Sequence, residues 1–262
     1  MRNAPAWLTA RPIAHRGLHD CGRGAIVENS SSGARAAIAG GFAIECDVQM
    51  SQDGEAVVFH DFTLERLTER SGRVDGLLAR ALQETRLRGG DAIATLPEFL
   101  DLIGCATPLV CEIKSGFDGD MRLAERVAAC AAAYHGPMCI ESFDPLVMAH
   151  LRANQSQLQI EHIPLGMVAM ANYDQENCEW FHLDAAEKRA LAQFLHFERT
   201  SPDFLSYNLR DLPHAIPHLC HAGLGMPVTI WTVRTEQQRT MALRYADQIV
   251  FEGEVFRANQ PV

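Results

Sequence analysis

The chain has 262 residues, of which 47% are apolar, and 33 acidic residues stand against 23 basic ones for a formal charge of −10. That length and apolar content suit one globular unit with a sizeable core, within the range that single β/α barrels occupy. The acidic balance argues against nucleic acid as the main partner, although a locally positive pocket could still receive a small anion.

No apolar run approaches the roughly 20 residues needed to span a bilayer, so no membrane insertion is expected. The stretch from Met1 to Arg11 lacks the apolar centre of a signal peptide. Cysteines fall at 21, 46, 105, 111, 130, 139, 178 and 220 without a C-x-x-C pair, and read as reduced, buried thiols of a cytoplasmic protein.

In chain order, a first strand is expected over 11–16, followed by an Ala-rich helix from Ser30 to Ala39 capped by Asn29 or Ser30. Strands follow over 42–49 and 56–60, separated by Asp53-Gly54, a hairpin signal. Parallel neighbours need a crossover of about a dozen residues, so this pair is expected to be antiparallel. Further strands are expected over 108–114, 138–142, 159–167, 204–208, 228–233 and 248–252. Helical spacing of Leu123, Val127, Cys130 and Tyr134, and the segments 185–197 and 236–245, supply helices between them. The segment 172–200 reads as a long connection and not a second domain.

Strands alternating with helices imply a parallel sheet. Once 56–60 is set apart as the returning arm of a hairpin, eight strands remain. The expected fold is therefore α/β, a (β/α)8 TIM barrel with a hairpin arm after the second barrel strand, in a single domain over 1–262.

Side chains alternate along a strand, so Glu45 and Asp47 share one face while Cys46 takes the other. Glu112 and Lys114 pair likewise, opposite Cys111. Both pairs lie near the C-terminal strand ends, where barrels build active sites. Three carboxylates converging in a barrel call for a cation, and an all-oxygen set suits Mg2+ or Ca2+. Bridging of these carboxylates to Lys114 and Arg16 is the alternative that needs no metal. His15 and His60, each ending a strand, have the chemistry of a general acid and base. Arg16 and Lys114 could hold phosphate oxygens. His214, His218 and His221 have zinc-like spacing, but Pro217 interrupts their helix and no carboxylate partner lies nearby.

The strings IAHRG at 13–17, EN at 28–29, ECDV at 45–48, DG at 53–54 and VVFHD at 57–61 resemble the glycerophosphodiester phosphodiesterase family. The likeness continues through Leu64, RLT at 66–68, TLPEFL at 95–100, EIK at 112–114, SF at 142–143 and WTV at 231–233. It runs in order from about residue 12 to 252. The resemblance implies a barrel hydrolase of lipid and glycerol metabolism that cleaves small-molecule glycerophosphodiesters to glycerol 3-phosphate and an alcohol with a divalent cation. It implies His15 and His60 as the acid/base pair, and Glu45, Asp47 and Glu112 as metal ligands. Arg16 and Lys114 become phosphate contacts, and Trp231 a wall of the substrate pocket, although a core Trp would look the same. Val27 stands where the family has Pro. Glu252 stands where the family closes its last strand with Asp, which leaves that rim contact open.

Three rivals to this reading are a lysophospholipase D on the same barrel, a metal-free glycoside hydrolase, and a non-catalytic ligand-binding barrel.

Overall fold

The computed structural model describes residues 4–22, 24–174, 180–253 and 255–256. Cys178 and part of the 172–200 connection lie outside them. Among the described residues nine strands form one sheet: β1 (Ile13–Ala14), β2 (Ala43–Met50), β3 (Ala56–Val58), β4 (Leu109–Ile113), β5 (Met138–Ser142), β6 (Leu165–Ala169), β7 (Phe204–Asn208), β8 (Val228–Val233) and β9 (Gln248–Phe251). The helices are α1 (Ser31–Ala39), α2 (Ala79–Gln83), α3 (Leu96–Ile103), α4 (Arg122–Ala133), α5 (Pro145–Ala153), α6 (Ala185–Ala192), α7 (Phe197–Thr200), α8 (Ala215–His218) and α9 (Glu236–Ala242).

Eight strands pair in parallel in the order β1-β9-β8-β7-β6-β5-β4-β2, and β1 also pairs with β2, which closes the barrel. The remaining strand, β3, runs antiparallel to β2, with Val48 opposite Val58 and Met50 opposite Ala56. The hairpin arm is therefore as expected, turning at Gly54 with φ of +85°. Beyond the arm, Val57, Phe59, Leu64, Leu67, Val74, Leu82, Leu87 and Ile93 bury one another in a small satellite core.

Local chemistry sets the element ends. Ser30 accepts a hydrogen bond from the Gly33 N–H to begin α1, and Thr95 with Glu98 forms a capping box that begins α3. The first strand is shorter than expected because Arg16 and Gly17 turn with φ of +57° and +78°. A Cβ on Gly17 would lie 2.9 Å from the backbone carbon of Gly33, so only glycine fits this crossing.

One strand was misplaced. The reading over 159–167 gives way to β6 at Leu165–Ala169, because Gln159 turns with φ of +59° and Pro164 has no N–H. Ile160 and Ile163 supply apolar contacts from that turn instead. The helix expected over 185–197 breaks at Phe194, with φ of +58°, into α6 and α7.

The barrel interior is layered. Leu8, Ile13, Ala43, Val110, Cys139, Phe204 and Val250 form an apolar floor. Two residues further along their strands, on the same face, stand His15, Glu45, Glu112, Glu141, Ser206 and Glu252. Gly166 leaves room for the Phe204 ring, which would lie 2.2 Å from an added Cβ. On the outer face, Cys46 and Cys111 stand opposite each other and pack in the main core between sheet and helices. Seven cysteines fall among the described residues. Cys46, Cys111, Cys130, Cys139 and Cys220 are buried, whereas Cys21 and Cys105 sit exposed in turns and depart from the expectation. Among the described residues no helix is long and apolar enough to cross a membrane.

Candidate functional site

A cavity of about 1480 Å³ opens at the C-terminal ends of the strands. His15, Arg16, Glu45, His60, Glu112, Lys114 and Trp231 all line it. Asp47 lies buried beside them, in register with Glu112 across β2 and β4. The structure thus gathers all eight residues singled out in the sequence around one cavity.

Glu45, Asp47 and Glu112 place one carboxylate oxygen each within 4.8 Å of one another. Lys114 Nζ donates to Glu112 Oε1 at 2.9 Å and stands 3.7 Å from Asp47 Oδ1. Arg16 Nε stands 3.3 Å from Asp47 Oδ2. Bridging to cations is therefore real, but it is incomplete. Burial alone would raise the Asp47 pKa, yet His60, Arg16 and Lys114 outweigh it and hold the group below the usual carboxylate range. Glu45 shows the reverse. Burial, and then the charges of Asp47 and Glu112, push it well above its ordinary value, and its Oε1 is buried without a hydrogen-bond partner among the described residues. An all-oxygen donor set with one orphaned oxygen fits a hard divalent cation, whose charge would offset that repulsion.

Each histidine is oriented by a carboxylate. His15 Nδ1 lies 2.5 Å from Glu252 Oε1, and its Nε2 faces Glu45 Oε2 at 3.8 Å. His60 Nδ1 lies 2.7 Å from Asp61 Oδ1. A carboxylate at Nδ1 places the proton there and leaves Nε2 as the basic nitrogen of the neutral ring. Burial, reinforced by the neighbouring Arg16, lowers the His15 pKa to about 4. The hairpin delivers His60 to the cavity: Phe59 N–H donates to the Asp47 carbonyl, and Gln49 Nε2 holds the His60 carbonyl at 2.9 Å.

Several supporting residues were not singled out in the sequence. Glu252, the position left open, accepts from His15 and from Arg234 Nε at 2.8 Å. Asn29 exchanges two hydrogen bonds with Asp47, one to its carboxylate and one from its backbone N–H. Glu28 accepts from Arg16 Nη1 at 2.7 Å, and Arg66 joins Glu28 to Asp61. Glu28, Asn29, Asp61 and Arg66 all lie within the strings that carry the family likeness, which was their available signal. Glu141, beside Glu112 in register, is a fourth buried carboxyl lining the cavity. Its alternation with Cys139 could have marked it. His214 turns away from any metal role: it bonds the Tyr207 hydroxyl at 2.9 Å, stacks on that ring, and caps α8.

The profile of the glycerophosphoryl diester phosphodiesterase family matches residues 15–251. The chain belongs to this family. A glycerophosphodiester phosphodiesterase of Caldanaerobacter subterraneus subsp. tengcongensis is 35% identical over 113 residues, covering 40% of this chain and 45% of that protein. The match thus spans less than half of the curated relative. Among solved structures, an Oleispira antarctica phosphodiesterase in complex with the product sn-glycerol-3-phosphate shares the fold with a TM-score of 0.68 at 21% identity, covering 92% of this chain and 91% of that one. The Thermotoga maritima glycerophosphodiester phosphodiesterase gives 0.66 at 18% identity, covering 91% and 92%. The family match begins at His15 and ends at Phe251, so it takes in every one of the eight gathered residues.

Proposed function

We propose that this chain, acting as one barrel unit, hydrolyses glycerophosphodiesters to glycerol 3-phosphate and an alcohol. The observation that carries the reading is the pairing of two carboxylate-oriented histidines with a buried three-carboxylate cluster in one cavity. Family membership supports it, as does the glycerol phosphate held by the Oleispira antarctica relative.

In this reading Glu45, Asp47 and Glu112 hold a divalent cation, Mg2+ or Ca2+, which supplies neutralisation of charge at the phosphoryl oxygens. Arg16 offers its planar fork to the phosphate and Lys114 a compact positive charge. Attack at phosphorus is in line. One histidine Nε2 takes the proton of the attacking hydroxyl while the other delivers a proton to the departing alkoxide. The family likeness supports a first attack by the substrate's own glycerol hydroxyl, giving a cyclic phosphate that water then opens. Trp231 borders the bound glycerol or alcohol. The buried thiols of Cys46, Cys111, Cys130, Cys139 and Cys220 fit work in a reducing compartment such as the cytoplasm.

The test is a panel of glycerophosphodiesters bearing choline, ethanolamine, glycerol or inositol, assayed with Mg2+, Ca2+ or EDTA. Cation-dependent release of glycerol 3-phosphate is expected. Turnover that persists in EDTA would show that the phosphodiester is cleaved without a cation, and absence of turnover would favour the glycosidase or the non-catalytic barrel.

A further inference from the structure

His15 has the carboxylate cluster on its Nε2 side and Glu252 on its Nδ1 side. Around Glu252 stands a second group of potential metal ligands. A ring nitrogen of His19, the Cys21 Sγ and a Glu252 carboxylate oxygen lie within 4.8 Å of one another, and all three residues line the cavity. His19 and Cys21 come from the loop after β1, and Glu252 from the end of β9, the strand that pairs with β1. The Cys21 N–H donates to His19 Nδ1 at 3.1 Å, which keeps the thiol close to the ring. Gly253 completes the fit. A Cβ there would meet Cys21 Sγ at 3.8 Å, so the sulfur sits against the residue that follows Glu252.

A separate observation points to a ligand. His19 is only 6% exposed, and its Nε2 is buried without a hydrogen-bond partner among the described residues. A buried polar nitrogen left in that way is costly, and a bound metal would satisfy it. Burial lowers the His19 pKa, so at neutral pH the ring is uncharged and has a lone pair to give. The donor set differs in kind from that of Glu45, Asp47 and Glu112. Oxygen alone suits a hard cation, whereas nitrogen, sulfur and oxygen together suit a borderline ion such as Zn2+. Three protein ligands with a fourth position open to the cavity is an arrangement that zinc adopts. Closing the three onto bonds of about 2.0–2.3 Å falls to Cys21, which is exposed at the rim.

We propose that His19, Cys21 and Glu252 form a Zn2+ site, separate from the carboxylate cluster, and that the bound ion restrains turnover. Coordination through His19 Nε2 moves the ring proton to Nδ1 and gives up one hydrogen bond, that from the Cys21 N–H. The thiol passes its proton to solvent as the Zn–S bond forms, with no change of oxidation state. Half-exposed Arg234, 2.8 Å from Glu252 Oε2, yields that oxygen to the metal. Binding is independent of the reaction, whereas the restraint rests on the phosphodiesterase reading. Glu252 Oε1 holds His15 Nδ1. A cation on the same carboxylate draws its charge away from that bond and leaves His15 Nε2 a weaker base.

Co2+ is the probe, because a thiolate bound to it gives a near-ultraviolet charge-transfer band that the sulfur-free carboxylate cluster cannot give. Protein stripped of metal and returned to saturating Mg2+ should develop this band with Co2+ and lose it when Zn2+ is added. Cys21→Ser should abolish the band, and Cys105→Ser, at the other exposed cysteine, should keep it. No band in the wild type, or a band that survives Cys21→Ser, would overturn the site. His19→Ala should weaken Zn2+ binding about a hundredfold, since loss of an outer-shell partner alone costs about 10- to 100-fold; unchanged affinity would remove His19 from it. In turnover at fixed Mg2+, Zn2+ should lower the wild-type kcat about tenfold. Cys21→Ser should keep the basal rate and escape the inhibition. Equal inhibition of both proteins, relieved by more Mg2+, would put zinc on the carboxylate cluster and overturn the restraint. Should no diester be cleaved under any condition, the phosphodiesterase reading fails, and the cobalt band decides the site by itself.

Discussion

Arg66 holds Asp61 through two hydrogen bonds, Nε to Oδ2 at 2.6 Å and Nη2 to Oδ1 at 2.8 Å. The same guanidinium reaches Glu28 at 2.9 and 2.7 Å. Asp61 orients His60, and Glu28 holds Arg16, so one half-exposed arginine positions groups on both sides of the proposed reaction. Burial alone would raise the Glu28 pKa, but the bonds to Arg66 and the charge of Arg16 bring it down to about 2. Arg66→Ala should therefore lower kcat by about ten- to a hundredfold, through misplacement of His60 and Arg16. Added guanidinium should restore part of the loss, and Arg66→Lys little, because a point charge cannot span two carboxylates. Steady-state kinetics with and without guanidinium check this, and wild-type kcat in Arg66→Ala would refute it.

The carboxylate cluster predicts a coupling between cation and stability. Glu45 is raised by burial and by Asp47 and Glu112, so in the folded protein it holds a proton more readily than in the unfolded one. Its contribution is then favourable at pH below about 4.5 and is lost as pH rises through the folded value. At neutral pH without a cation, Glu45 is a burden. Glu45→Gln should raise Tm in EDTA by about 2–4 °C, while removing the gain that Mg2+ or Ca2+ gives the wild type. Thermal denaturation with EDTA and with each cation measures both effects. A cation that stabilises the wild type and Glu45→Gln equally would show that Glu45 is no ligand.

Two groups at the barrel closure act in the opposite sense. His15 falls from 6.5 to about 4, first by burial and then by Arg16, so between those values the unfolded chain binds the proton and the folded chain does not. Stability must fall as pH drops through that window. Glu252, which burial would raise, is brought from 4.5 to about 2 by its bond to His15. Its contribution is fully present above 4.5 and is lost as pH falls towards 2. Glu252→Gln keeps an acceptor but no charge. The variant should be less stable at neutral pH and show a flatter loss between pH 4.5 and 2, read from Tm against pH. Parallel wild-type and variant curves below pH 4.5 would contradict the assignment.

The legible part of this site was local. Alternation along β2 and β4 brings Glu45, Asp47 and Glu112 to one interior face, and Asp53-Gly54 marks the arm that carries His60. The residues that were missed act at a distance. Glu252 meets His15 across 237 positions of sequence, and only closure of β9 on β1 brings them together. Arg66 reaches Glu28 across 38 positions between two irregular segments, where no periodicity exists to read. The shift of β6 has a different origin. Ile160 and Ile163 look like strand residues because they are buried, but a turn can bury apolar side chains as well as a strand can.

The turn that aims His15 and Arg16 gives a final prediction. Arg16 and Gly17 both take positive φ, and Gly17 N–H donates to the Glu45 carbonyl at 3.2 Å, tying the turn to β2. The same turn lets the Arg16 N–H reach Glu45 Oε2 at 2.8 Å. Gly17→Ala adds a methyl 2.9 Å from the backbone of Gly33 at the start of α1, and neither segment can yield without moving the cluster. The cost should be about 1–3 kcal/mol. Gly54, at φ of +85°, supplies the comparison, because a Cβ there meets nothing within 4 Å. Gly54→Ala should thus carry only the backbone strain and leave kcat intact, whereas Gly17→Ala should lose both stability and turnover. Denaturant unfolding beside kinetics separates the two, and equal losses in both variants would show that the turn does not set the position of His15.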